Sequence, residues 1–126
     1  MIRLAYSFCN RLLADAIGMA LKKSGNFRLF PLEPGSAITE ACINSEADIL
    51  FMDVAQVPDG DLKERAEVCR SIRANMPKCK LALLVDENSQ PEAAHQVMLM
   101  KQSGQIDVFF HSSVTTAYLE AALEAL

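Results

Sequence analysis

Five short apolar runs, each followed by a stretch with helical spacing, constrain this chain more than any other feature. The runs are "IRLAYSF", "FRLFPL", "ADILFMDVA", "KLALLV" and "IDVFF". In the third, Ile49, Leu50, Phe51 and Met52 follow one another with no polar residue between them, as in a strand buried on both faces. Strict strand-helix alternation with short connections predicts an α/β fold. It is a doubly wound parallel five-stranded sheet covered on both sides by helices and joined by right-handed crossovers. The alternation leaves the strand order open.

The helical stretches carry their own start and stop signals. In "NRLLADAIGMALKKSG", Leu13, Ala16, Ile17, Ala20 and Leu21 share a face and Gly25 ends it. Pro31 marks the end or an edge position of the second strand, and Ser36 is placed to cap "SAITEACINSE". "DLKERAEVCRSIRANM" sets Leu62, Ala66, Cys69, Ile72 and Met76 at helical spacing, with Asp61 and Glu64 positioned for a capping box. Pro91 opens and Gly104 closes "PEAAHQVMLMKQSG". In "TTAYLEAALEAL", Tyr118, Leu119, Ala122, Leu123 and Leu126 are available to face the sheet.

At 126 residues, with 51% hydrophobic and 22% charged content, the chain has the size and composition of one globular domain, residues 1–126. Lys and Arg are scattered and the net charge is −4, so this segment is not expected to contact nucleic acid directly. Cys9, Cys42, Cys69 and Cys79 are dispersed without a C-x-x-C pair, which favours reduced, mostly core-packed thiols in a cytoplasmic protein. No apolar run approaches a membrane span, and "MIRLAYSF" begins as a strand, not as a secretion signal. The final "AYLEAALEAL" stops inside a helical pattern, which fits a short complete protein or the N-terminal part of a longer one.

Chemistry is concentrated where strands end. Asp53 closes the third run, and open α/β sheets place their sites at carboxyl ends of strands. Asp86 and Glu87 follow the fourth run, and His111, Ser112 and Ser113 follow the fifth. These residues either form an acidic cluster with Asp53 or solvate a loop, the latter being the usual role of a stretch like "DENSQP". No G-x-G-x-x-G, G-x-x-x-x-G-K-[ST] or G-x-S-x-G is present, which argues against dinucleotide, nucleoside-triphosphate and serine-hydrolase chemistry.

Taken together, five βα units, "DILFMD" closing the third strand and the terminal "FFHSSVTTAYLEAAL" make the sequence resemble the response-regulator receiver domain, the CheY-like phosphoacceptor module of two-component signalling. The resemblance implies a flavodoxin-like sheet in the order 2-1-3-4-5 with its site at the switch point between the first and third strands. It also implies that Asp53 is the phosphoacceptor and would contribute to a Mg²⁺ site. That chemistry calls for further carboxylates around the ion, because Mg²⁺ prefers oxygen ligands.

The family's other functional positions have been replaced. Tyr6 and Ser7 stand where the resemblance places an acidic pair, Val85 where it places a hydroxyl residue, and Ser112 where it places a lysine. The expected protein is therefore an atypical, non-enzymatic receiver that needs no cofactor. It acts by protein contact, as a homodimer and in control of a transcriptional output domain. The resemblance offers Met98, Met100, Phe110 and Tyr118 as interface candidates. The alternative is a receiver still phosphorylated on Asp53 by a histidine kinase, with Asp86, Glu87 and His111 rebuilding the metal site.

Overall fold

A computed structural model describes residues 1–33 and 37–126. The chain runs β1 (Ile2–Ser7), α1 (Arg11–Ser24), β2 (Phe27–Pro31), α2 (Ile38–Ser45), β3 (Ile49–Asp53), α3 (Leu62–Asn75), β4 (Lys80–Val85), α4 (Pro91–Gln102), β5 (Val108–His111) and α5 (Thr116–Glu124). These strands form one parallel sheet in the order β2-β1-β3-β4-β5. The flavodoxin-like arrangement is therefore present, and β2, which ends on Pro31, is an edge strand.

The missing polar alternation in the central strands has a direct cause, since both faces of the sheet are covered. Ala5, Leu50, Met52, Leu81 and Leu83 pack with Ile38, Cys42, Cys69, Ile72, Val97 and Met100 from α2, α3 and α4. The residues between them, including Leu4, Ile49, Phe51, Ala82 and Leu84, pack with Ile17, Leu21, Leu119 and Leu123 from α1 and α5. Each large apolar side chain buried in this way contributes about 1.5–3 kcal/mol, so two filled layers hold the sheet between its helices.

Helix ends follow local chemistry. The Asn10 carboxamide accepts from the Leu13 N–H, and Gly25 ends α1 at φ 77°, a left-handed conformation that costs glycine little. Asp61 caps α3 by accepting from the Glu64 N–H, whereas the Glu64 carboxylate lies beside Arg65, so only half of the expected capping box is made. Ser36 lies outside the described residues. Three further expectations are corrected by packing. Ala16, Tyr118 and Leu126 are exposed, because Ile17 and Leu21 on α1, and Leu119 and Leu123 on α5, fill the space against the sheet. At the opposite edge, Asp107 accepts from the Leu81 N–H at 2.8 Å and from Arg73 at 2.9 Å, which ties the start of β5 to β4 and α3.

Candidate functional site

Adjacent β1 and β3 send their following loops in different directions, which opens a crevice at their carboxyl ends. Asp53 sits there, buried, with its carboxylate turned toward the start of α1. It accepts the Cys9 N–H at 3.0 Å and 3.2 Å, one distance to each oxygen, and the Asn10 N–H at 3.4 Å. Amides at a helix N-terminus stabilise an anion, so the acid that closes the third strand is held from β1's side of the crevice.

The remaining side of that carboxylate is occupied by an arginine. Arg65, in the first turn of α3, is wholly inaccessible to solvent. Its Nη2 lies 3.2 Å from Asp53 Oδ1 and donates to the Ser7 carbonyl at 3.0 Å, while its Nε donates to the Asp53 carbonyl at 2.8 Å. Nη1 faces Glu64 Oε2 at 3.5 Å, close enough for attraction but without a hydrogen bond. Burial raises the Glu64 carboxyl above its usual range, with Arg65 opposing the shift. Ser7 Oγ, on the residue whose carbonyl accepts from Arg65, is buried and has no hydrogen-bond partner.

Arg65 was not among the residues singled out from the sequence, although a signal was present. Arg65, Cys69, Ile72 and Met76 lie at i, i+4, i+7 and i+11, so a charged residue lies on the apolar stripe of α3. A charge on such a stripe needs a buried partner of opposite sign.

The other sequence-selected residues are distributed around the crevice without forming one cluster. Tyr6 is half-buried and runs beneath α1, with its hydroxyl against Gly18; burial, and then the Asp15 charge, push its phenol up. It lines a cleft of about 290 Å³ with Arg11, Asp15 and Glu33. Val85 is fully buried and belongs to the core. Asp86 accepts the Asn88 N–H at 3.0 Å within its own turn, and that bond is the main reason its carboxyl is held below the ordinary range.

Glu87 reaches across to the loop after β5. It accepts the Ser112 N–H and the Ser113 hydroxyl, each at 3.3 Å. His111 is exposed and packs beside Phe109, with ring centroids 5.7 Å apart. Among the described residues, no three His, Cys, Asp or Glu side chains are placed to hold a metal ion. A divalent cation at Asp53 would meet a guanidinium, so the residues present do not fit Mg²⁺.

Of the interface candidates, Tyr118 is exposed and Met98 is partly exposed beside His95, Phe109 and His111. Met100 and Phe110 are core residues, the first beneath α4 and the second against Phe51 and Tyr118, and neither is on the surface where a partner would meet it.

No protein-family model and no curated protein matches the chain. Solved structures do match it. The signal receiver domain of the response regulator NarL from Mycobacterium tuberculosis superimposes with a TM-score of 0.77 at 18% identity, over 98% of this chain and 94% of that one. The response regulator TrrA from Thermotoga maritima, solved in complex with Mg²⁺-BeF, gives 0.76 at 14% identity over 99% and 98%. RcsB from Salmonella typhimurium, studied for its interaction with DNA, gives 0.74 at 14% identity, with 99% of this chain matching 58% of that one. At such identities the likeness speaks to architecture, and with the strand order and crevice described above the chain has the CheY-like receiver fold.

Proposed function

We propose that this chain is a receiver-fold signalling module that works by protein contact and not by phosphorylation, as a homodimer that controls an output domain. The observation that carries the reading is the clasp between Glu87 and the Ser112–Ser113 loop. A phosphoryl group on Asp53 would draw the ends of β4 and β5 together through a hydroxyl and a lysine, according to the resemblance. Here the two loops are already joined by a carboxylate, which repels a phosphoryl group, and Val85 offers no hydroxyl. Tyr6 and Ser7 likewise supply no acids for a metal.

The proposed input is binding of a partner, with no histidine kinase required, and the proposed setting is the cytoplasm. RcsB supports the part concerning output, because it extends well beyond the region that this chain matches. The chain carries no chemistry of its own in this reading.

Incubation of the wild-type protein with an acyl phosphate and Mg²⁺, followed by intact-mass measurement, tests the proposal. The mass is expected to stay unchanged under conditions that fully phosphorylate an ordinary receiver. An adduct that peptide mapping places on Asp53 would overturn it.

A further inference from the structure

We propose that Arg65 is a resident cation standing where this fold would otherwise hold a divalent ion, so that the Asp53 pocket is closed to metals by the protein's own side chain. The inference rests on the receiver reading only in naming what Arg65 replaces; the pocket itself supplies the argument. Four oxygens surround the guanidinium: Asp53 Oδ1 at 3.2 Å, the Asp53 carbonyl at 2.8 Å, the Ser7 carbonyl at 3.0 Å and Glu64 Oε2 at 3.5 Å. Two of them belong to carboxylates and two to backbone carbonyls. That is the ligand chemistry hard divalent cations favour, assembled here around an organic cation.

Burial makes the arrangement exclusive. Arg65 is fully enclosed and always charged, so its location is sustained only by the negative and dipolar groups that face it. A metal ion would have to take lone pairs from Asp53 and stand beside a positive charge in a poorly screened interior. Removal of the guanidinium reverses the balance, because Asp53 and Glu64 then share a pocket with two carbonyls and no counter-charge. The cation is carried on a fixed element, since Asp61 caps α3 one turn before Arg65.

The test is Mn²⁺ binding, read by the loss of the free-ion electron paramagnetic resonance signal, on the wild type, Arg65→Ala, Arg65→Gln and the double variant Arg65→Ala with Asp53→Asn. Both single variants are expected to bind Mn²⁺ at least about tenfold more tightly than any residual surface binding of the wild type. The double variant is expected to lose that gain. If Arg65→Ala does not fold alone, its refolding on addition of Mn²⁺ supports the proposal and its indifference to Mn²⁺ overturns it. Equal binding by wild type and the single variants would also overturn it. Equal Mn²⁺ binding by wild type and the single variants sinks this inference even where Asp53 stays unmodified, whereas an Asp53 adduct on a wild type that still binds no Mn²⁺ in the crevice sinks the proposed function alone.

Discussion

Cys9 Sγ fills the space that a β-carbon on Gly60 would need. The contact joins the loop after β1 to the loop after β3, whose own shape is set by the Ala55 N–H donating to the Gly60 carbonyl at 2.8 Å. Gly60→Ala must therefore displace the Cys9 side chain where the two loops that carry Asp53 and its amide donors meet. It should cost about 1–3 kcal/mol, the usual range for overpacking. Cys9→Ala removes the obstructing sulfur and leaves Ala55 and Arg65 at ordinary contact distance, so the double variant should regain most of that loss. Urea denaturation of the four proteins in the cycle decides it, and a Gly60→Ala cost that is the same with and without Cys9 would rule out this contact.

Asp53 is predicted to matter for stability before it matters for signalling. Asp53→Asn preserves an oxygen for the Cys9 N–H but leaves Arg65 charged and buried with only the Glu64 carboxylate, 3.5 Å away, to oppose its charge. Breaking a buried pair from one side costs about 3–5 kcal/mol, and the midpoint of urea denaturation should fall accordingly. Adding Arg65→Gln to Asp53→Asn should recover part of the loss, since the unpaired charge goes with it. A loss below about 1 kcal/mol in the single variant would mean that water reaches the guanidinium and that the pair is not shielded.

Dimer formation has a surface to be tested on. Tyr118 is 63% exposed above Phe110, and Met98 on α4 is partly exposed beside Phe109 and His111 of β5. Met98→Glu with Tyr118→Ala should weaken self-association by about tenfold or more, followed by sedimentation equilibrium, while the circular dichroism spectrum stays unchanged. Met100→Glu, by contrast, should unfold the protein, because it puts a charge in the core. A dimer of undiminished affinity in the first variant would move the interface to another face.

The comparison between sequence and structure divides along physical lines. The fold was legible because two covered faces demand continuous apolar strands, and Ile49 to Met52 could belong to little else. Helix ends were legible where one residue type solves one local problem, as Gly25 does at positive φ and Asp61 does at an orphan N–H. Arg65 was harder to read, since helical spacing marks it as an anomaly but only the crossing of β1, β3 and α3 brings it to Asp53. The directions of Met100, Phe110 and Tyr118 were equally dependent on tertiary packing. Nothing in "MLM" or "FF" states which residue turns inward. Asp86 and Glu87 stood side by side in the sequence yet took different roles, one capping a turn and the other clasping a loop, because neighbouring residues leave a loop in different directions.

Three buried thiols predict how the protein should fail in alkali. Burial pushes Cys42 and Cys69 up to about 12 and Cys79 up to about 11 from an ordinary value of 9.0, and Cys79 adds to the effect on Cys42. Below pH 9 both folded and unfolded chains keep these protons, so the thiols add no pH dependence. Above it the unfolded chain releases them while the folded chain holds them until pH reaches about 11 or 12, so stability falls as pH rises through that window. Each thiol contributes a slope of about 1.4 kcal/mol per pH unit, or about 4 kcal/mol per unit for the three together. Cys42→Val keeps a small apolar side chain in the same core position and removes one titrating group. Its stability, measured by urea denaturation from pH 9 to pH 11, should decline less steeply than that of the wild type, by about 1.4 kcal/mol per pH unit. Identical slopes would mean that the thiol at position 42 ionises as readily in the folded protein as in the unfolded chain, and hence that water reaches the core between α2 and the sheet.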